Sequence, residues 1–314
     1  MPFPAPPIPL RSVVTCVLIG WLWFATEGTA QHLTAETGLL QYHADSTQAA
    51  PASTFHPYRF WVGTGATVAA DLAVMVGLNQ LWYSGYERSR FHWHNDWNNW
   101  LQQDKIGHMI TAWHIARVFG AYGTWAGLSR KQAGLYGGVV STLFQSQIEV
   151  LDGFSEAWGA SWGDLIFNTV GGAIGGLQVA YPELHAFTIK YGYHRSPFYD
   201  QDLSYIGNAL KDYDGISYWM VVRPEMLLSD QWKTRWPDWL ALSIGISADG
   251  LAEALSTPAH PHQRVFLVGL DLDFLRSIQW PHRWMQIAAE FFSFIRIPAP
   301  ALVLSPRVKW HWAY

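Results

Sequence analysis

Three segments in the middle of the chain each carry two polar residues four positions apart. The pairs are Asp104 with His108, Gln145 with Glu149, and Asp164 with Asn168. Residues four apart share one face of an α-helix. Carboxylates and an imidazole can hold a cation or move a proton, because histidine titrates near neutral pH. The spacing therefore predicts a polar site on the facing sides of three helices.

The residue types of this site allow a catalytic or a binding role. In the catalytic interpretation, His108 is a general base that Asp104 orients. Glu149 and Asp164 then hold a cation or a water molecule. A divalent metal bound by His108, Asp104 and Glu149 would use ordinary ligand types, but the sequence has no HExxH motif, so the cofactor stays open. In the alternative interpretation, Asp104 and Asp164 are helix-capping residues and His108 packs locally.

Four segments rich in Gly and Ala must position these residues. They are predicted as helices over Trp61–Tyr83, Asp104–Trp125, Ser129–Leu151 and Ser161–Tyr181. Each is about as long as a bilayer crossing needs, roughly 20 residues. Polar residues such as Asp71 and Arg117 interrupt them, so two interpretations stay open: a polar-cored membrane bundle, and a soluble or surface-bound bundle with a tight Gly/Ala core. The glycines at 171, 172, 175 and 176 predict close helix packing.

The composition favours a membrane over a nucleic acid as partner. Half of the 314 residues are hydrophobic and 14% are charged, against about 25% charged residues in ordinary soluble domains. Nineteen tryptophans fit membrane–water interfaces, where an indole satisfies both its apolar ring and its N–H. The net charge of −4 and the lack of a basic cluster exclude a nucleic-acid partner. We expect membrane lipid or another envelope component as partner; the oligomeric state stays open.

The N-terminal region is typical of a targeting segment. Arg11 precedes an apolar run over residues 13–25, and Gly28-Thr29-Ala30 offers a cleavage site. We predict a signal peptide or an N-terminal anchor over residues 1–30, and a flexible linker over 31–57. Cys16, the single cysteine of the sequence, lies in the apolar run. Cleavage would therefore leave a chain without disulfides or a cysteine nucleophile.

The C-terminal part has the pattern of strands. Apolar residues alternate with small or polar ones over Ile216–Arg223, Trp239–Ser247 and Arg264–Phe274. Trp284–Ile295 is predicted as a short amphipathic helix. The last residues place Trp310, Trp312 and Tyr314 on one face, a pattern of outer-membrane strands. The predicted fold class is α+β: a four-helix, Gly/Ala-rich, membrane-associated bundle over 58–183, followed by a small antiparallel β-rich region over 184–314.

Several motifs resemble a known family. The runs QDKIGH, LDGFSEAWGASWGD and NTVGGAIGG resemble the YfiM-like predicted periplasmic proteins, whose small members are lipoproteins. Their order is more distantly similar to the VanZ-like membrane proteins. The resemblance covers roughly residues 85–180 and implies an envelope location and a helical core, without an established reaction. The motif positions that it implies are Asp104, Lys105, His108, Glu149, Asp152, Trp162, Asp164 and Asn168.

Together these features predict a bacterial envelope protein that faces the periplasm, at the outer rather than the inner membrane. Its intrabundle site would bind or process a lipid- or wall-related ligand. Lys105 would neutralise a carboxylate and contact the ligand together with Asp152, Trp162 and Asn168. In the alternative, the protein is a non-enzymatic envelope scaffold whose polar pairs only fix helix packing. The sequence does not decide whether the protein is an enzyme.

Overall fold

The computed structural model describes residues 54–197, 200–201, 205–251, 262–305 and 307–314. The predicted signal peptide or anchor at 1–30, and the linker up to residue 53, lie outside the described residues. The chain divides into two compact units. Of the described residues, the first unit contains those at 54–95 and 115–180, and the second contains those at 96–114 and beyond 180.

Four long helices lie where the apolar segments predict them. They are α1 (Pro57–Leu78, extended by a π-helical turn over Asn79–Tyr83), α2 (Gln103–Trp125), α3 (Arg130–Gly153) and α4 (Trp162–Ala180). The residues of α2 up to His114 belong to the second unit, and those from Ile115 belong to the first. The four predicted helices are therefore confirmed.

Glycines set the close packing of α3 and α4. A Cβ atom placed on Gly134 would lie 2.3 Å from the carbonyl oxygen of Gly176. One placed on Gly138 would lie 2.9 Å from the carbonyl oxygen of Gly172. Real side chains do not tolerate such distances, so the two backbones approach closely only because both helices carry glycine here. The packing role predicted for the glycines of α4 is confirmed at these two positions.

The helix starts follow the sequence signals in one case and depart from them in another. Ser129 and Gln132 form the predicted capping box at the start of α3. The expectation that Asp104 caps α2 is wrong. A 3₁₀ turn over Asn99–Gln102 leads directly into the helix at Gln103. Asp104 thus lies inside the first turn, where its negative charge interacts favourably with the helix dipole. Its side chain is available for other contacts.

The second unit contains an antiparallel sheet of six described strands in sequential order. The strands are β1 (Phe187–Tyr193), β2 (Ile216–Val222), β3 (Leu240–Asp249), β4 (Gln263–Leu272), β5 (Ala301–Ser305) and β6 (Lys309–His311). Shorter helices connect them: α5 (Tyr205–Lys211), α6 (Asp230–Lys233), α7 (Phe274–Ser277) and α8 (Arg283–Phe292). The α+β fold class, with its antiparallel C-terminal region, is confirmed.

Both faces and the first edge of the sheet are partly covered within the second unit. One face buries a core around Trp219, Leu267 and Val303. On the other face, Ile110 of α2 packs against Ile216 and Tyr218. The edge of β1 that pairs with no other strand is covered by residues 294–296. The Tyr191 N–H donates to the Phe294 carbonyl, and the Arg296 N–H donates to the Tyr191 carbonyl, each over 2.7 Å. This pairing satisfies an edge that would otherwise present unpaired backbone groups.

Candidate functional site

The ammonium group of Lys105 lies between two carboxylates in the second unit. Its Nζ atom is 2.6 Å from Oδ2 of Asp96 and 3.5 Å from Oδ2 of Asp104. Only 1% of the Lys105 side chain is exposed. A buried lysine is stable as a cation only when it is paired, so these carboxylates hold its charge in place at the start of α2.

Asp104 also contacts a histidine and a tyrosine through its other oxygen. The hydroxyl of Tyr213 donates a hydrogen bond to Oδ1 of Asp104 over 3.2 Å. Nε2 of His108 lies 3.8 Å from the same oxygen. That distance is too long for a hydrogen bond, so Asp104 attracts a protonated imidazole without fixing its ring. If the imidazole moved closer to Asp104, the two side chains together could exchange a proton with a bound group.

The backbone before α2 is held in an uncommon conformation. Trp100, Leu101 and Gln102 have φ values of 52°, 50° and 61°, in the left-handed region that costs a non-glycine residue about 1–2 kcal/mol. Trp100 stacks on Tyr213 with ring centroids 5.4 Å apart. The side chain of Gln102 donates to the Trp97 carbonyl over 2.5 Å and accepts from Arg264. Such strain persists where surrounding contacts enforce it, often at functional sites.

The first residue of α2 carries a buried amide that has no hydrogen-bond partner among the described residues. Gln103 is fully buried, and neither atom of its side-chain amide makes a hydrogen bond in the part of the chain that the structure describes. An unpaired buried polar group costs about 1–3 kcal/mol. A bound water molecule or a polar ligand group would remove that cost.

In the first unit, Ser161 connects the predicted site residues of α3 and α4. Oε2 of Glu149 accepts the backbone N–H of Ser161 over 2.9 Å, and the hydroxyl of Ser161 accepts the backbone N–H of Asp164 over 3.2 Å. Asp164 and Asn168 are buried. A carboxylate near a helix C-terminus opposes the helix dipole. At Glu149, the hydrogen bond from the Ser161 N–H offsets this unfavourable interaction with the dipole.

Asp152 and Trp162 make different contacts in the same unit. The hydroxyl of Tyr83 donates to Oδ1 of Asp152 over 2.7 Å, which ties the end of α3 to the π-helical turn after α1. The exposed ring of Trp162 stacks on Trp93 with centroids 4.2 Å apart and planes 7° from parallel. These two tryptophans present a flat aromatic surface at the start of α4.

α3 and α4 bury mainly small and polar residues and expose large apolar ones. On α3, the stripe of Ser141, Gln145 and Glu149 is buried. On the same helix, the large hydrophobic residues Leu135, Val139, Leu143 and Val150 are exposed, as are Ile166, Val170 and Leu177 on α4. The helix of a soluble bundle has the opposite arrangement, with an apolar stripe toward the core.

α1 is the one helix among the described residues that is long and apolar enough to cross a membrane. Gly63 is its single buried position. Asp71, which interrupts its apolar sequence, accepts a hydrogen bond of 2.8 Å from the side-chain amide of Gln147 on α3. Partnering of this kind is expected of a carboxylate inside an apolar helix.

The predicted site residues are shared between the two units, and each set is described by itself. Asp104, Lys105 and His108 belong to the second unit, and Glu149, Asp152, Trp162, Asp164 and Asn168 belong to the first. Sequence reasoning did not find three of their partners: Tyr83, Asp96 and Tyr213. Asp96 lies within the aromatic and polar loop before α2, but its spacing from Lys105 follows no helical pattern. Tyr213 is more than 100 residues from Asp104, and no sequence signal joins them. A bound cation stays a prediction.

The comparisons with known proteins match this region of the chain. Residues 92–180 match the model of the family described as "Predicted periplasmic lipoprotein (DUF2279)". The matched segment includes all eight predicted site residues. The match supports a protein of the cell envelope that faces the periplasm. No curated protein and no solved structure matches the chain.

Proposed function

We propose that this chain is an envelope protein whose helical unit is embedded in a membrane and whose polar residues bind a lipid- or wall-related ligand. The inverted burial of α3 carries the proposal. In water, leaving a leucine or valine side chain exposed forfeits roughly 1.5–3 kcal/mol relative to burying it. α3 alone exposes four such side chains while it buries a serine, a glutamine and a glutamate. Hydrocarbon removes the cost of the exposed stripe.

The bonding of the polar residues supports the same proposal. In hydrocarbon, a buried carboxylate needs a protein partner, since no water competes for it. Glu149 has the Ser161 N–H, Asp152 has the Tyr83 hydroxyl, and Asp71 has the Gln147 amide. The family match adds an envelope location.

The charges of the second unit favour one kind of ligand group. Asp96 and Asp104 carry two negative charges and Lys105 carries one positive charge, so the cluster is negative when His108 is neutral. An ammonium group or another hydrogen-bond donor on the ligand complements it. Lipid headgroups and cell-wall peptides both provide such groups. In a catalytic version, His108 acts as the general base at this position.

Membrane embedding is tested by extraction. Membranes that contain the full chain are washed with alkaline carbonate, and the protein is then floated on a density gradient. We expect the chain to stay with the lipid. Release of the chain into the wash would contradict the proposal, since a surface-bound protein is removed under these conditions.

Ligand binding is tested by native mass spectrometry of the protein extracted in mild detergent. We expect a lipid-sized or metal-sized adduct on the wild type, and its loss in His108→Ala. His282→Ala is the matched control, because His282 is an exposed histidine of the same unit. A bare mass for all three proteins would reject the ligand-binding part of the proposal.

A scaffold role is the second candidate, and one observation favours it. The described partners of Glu149 and Asp152 are groups of the protein itself, Ser161 and Tyr83. Bonds of this type fix the packing of helices without any ligand. Under the scaffold role, a His108 variant gives the same adduct spectrum as the wild type and complements a deletion strain equally well. A Glu149 variant, in contrast, has a lower thermal stability and complements the deletion strain less well.

A further inference from the structure

The two faces of the six-stranded sheet differ in composition. One row of cross-strand partners runs over all six strands on what we call the outer face: Ile189, Met220, Ile244, Val268, Leu302 and Trp310. The adjacent row on the opposite, inner face is Lys190, Trp219, Gly245, Leu267, Val303 and Lys309. Alternation along each strand places every apolar residue of the first row on one side.

The outer face is accessible although it is apolar. Ile244, at its centre, is 52% exposed, and Met220, Phe266 and Leu304 are exposed to a similar extent. α2 covers another part of this face, where Ile110 packs on Tyr218. An exposed apolar patch that continues across several strands marks an interaction surface.

The inner side of the sheet buries charges, and they are paired. Lys190 lies against Asp271 and is 3.1 Å from Asp273. Arg296 is 2.9 Å from Asp271, and its guanidinium group lies 3.5 Å above the ring of Trp219. Burial lowers the pKa of Arg296 to about 10, although Asp271 opposes the change. A soluble sheet would place these groups outside and the row of Ile244 inside.

The ends of the outer face are marked by different residues. From Leu240 to Ile246 the face extends for six residue steps, about 20 Å at 3.3 Å per residue, which is enough to cover one leaflet of a hydrocarbon core about 30 Å thick. At one end, Trp239 and Phe274 stack with centroids 5.4 Å apart and are both exposed. At the other end, the exposed Arg264 lies two residues before Phe266 on the same face. Aromatic and basic residues are typical at membrane–water interfaces.

We propose that the outer face of the sheet is a second lipid-contacting surface, and that its occupant is the acyl-chain region of a bilayer leaflet. The proposal rests on the membrane attachment proposed above. A protein partner would require a polar rim and about one hydrogen bond per 100–200 Å². The exposed part of this face provides aliphatic and aromatic side chains, and among the residues described its hydrogen-bonding side chains lie at the margins, Arg264 at one end and Trp310 on the last strand. Contact with acyl chains requires no hydrogen bonds.

Spin labels at single cysteines test the assignment. Since Cys16 is the one cysteine of the sequence, Cys16→Ser leaves a background in which each new cysteine is labelled alone. Ile244→Cys and Leu270→Cys report on the outer face. Lys233→Cys on α6 is exposed and serves as the water-facing control. The labelled full chain is placed in vesicles of phosphatidylethanolamine and phosphatidylglycerol. Collisions with oxygen and with a water-soluble nickel chelate are measured.

We expect both outer-face labels to collide with oxygen at least threefold more, and with nickel at least threefold less, than the label at position 233. Nickel collisions equal to those at position 233 would overturn the proposal in favour of a water-exposed face. Shielding from both reagents would overturn it in favour of a protein cover, and dipolar broadening would identify that cover as a second copy. A Leu143→Cys label distinguishes the two proposals: lipid contact there but not at 244 rejects only this inference, whereas water contact at both rejects the membrane attachment as well.

Discussion

The carboxylate of Glu149 accepts the backbone N–H of Ser161 over 2.9 Å, and both groups are buried. The bond joins the last turn of α3 to the residue that precedes α4. It therefore satisfies a donor at a helix start with an anion that would otherwise oppose the dipole of α3. The polar stripe of α3 thus has a structural role at this position, whatever ligand the site holds.

Glu149→Ala is expected to lower the free energy of unfolding by about 2–3 kcal/mol. The substitution leaves the buried Ser161 N–H without this charged acceptor, and a hydrogen bond to a charged group contributes more than a neutral one. Glu156→Ala is the control, because Glu156 is an exposed carboxylate in the following loop. Thermal unfolding in detergent measures the difference. Equal midpoints for the two variants would show that the bond contributes nothing.

Gly134→Ala is expected to destabilise the helical unit by about 1–3 kcal/mol, the usual range for overpacking. The new methyl group would lie 2.3 Å from the carbonyl oxygen of Gly176, so the helices must separate. Gly65→Ala on α1 is the matched control, since a Cβ atom there has open space and alanine favours a helix by up to about 1 kcal/mol. Relative to the wild type, we expect a lower unfolding midpoint for Gly134→Ala and a higher one for Gly65→Ala. A higher midpoint for Gly134→Ala would contradict the close packing of α3 and α4.

Asp273 is expected to make the second unit sensitive to acid. Burial alone would raise the pKa of this carboxyl, but Arg276, Lys190 and Arg223 outweigh burial and lower it below the ordinary value of 3.8. Because the folded-state pKa is the lower one, its contribution to stability is complete above 3.8 and is lost as the pH falls through the folded-state value.

Asp273→Asn removes this contribution. At neutral pH we expect a loss of about 3–5 kcal/mol, because the variant leaves buried cations uncompensated. We also expect a flatter dependence of stability on pH in the acid range. Asp238→Asn, at an exposed carboxylate, should follow the wild type. The check is denaturant unfolding at a series of pH values, and parallel curves for all three proteins would refute the role of Asp273.

Tyr213→Phe tests the contact with Asp104. The variant keeps the ring that stacks on Trp100 but removes the hydroxyl that donates to the carboxylate. We expect a loss of about 0.5–1.5 kcal/mol and weaker retention of any ligand adduct. Tyr205→Phe, at an exposed tyrosine, should change neither. Unchanged stability and adducts in Tyr213→Phe would remove Tyr213 from the site.

The helices could be predicted because their signals are local. The capping box at Ser129 and the long Gly/Ala-rich apolar runs mark α1 to α4 within a few residues. β1 escaped prediction although Phe187, Ile189 and Tyr191 alternate with smaller or polar residues. The inward position 190 holds a lysine, which opposes a buried strand unless its partners are known. Those partners, Asp271 and Asp273, are about 80 residues away.

The site could be predicted only as far as helical spacing reaches. Asp104 and His108 are one turn apart, so sequence alone places them together. Asp96 precedes Lys105 across a turn with three left-handed residues, a geometry that no spacing rule anticipates. Tyr213 meets Asp104 because α2 packs against the sheet, which is a tertiary relationship. The Asp104 N-cap prediction fails for a local reason, since the preceding 3₁₀ turn continues into the helix one residue earlier.

The most direct test of the central claim is the environment of Leu143 on α3. In the Cys16→Ser background, a nitroxide is attached at Leu143→Cys and, as control, at Glu156→Cys in the exposed loop. Membrane embedding predicts that the label at 143 collides with oxygen but not with a water-soluble nickel chelate, and that the label at 156 collides with the chelate. Equal collision with the chelate at both positions would contradict a membrane-embedded helical unit.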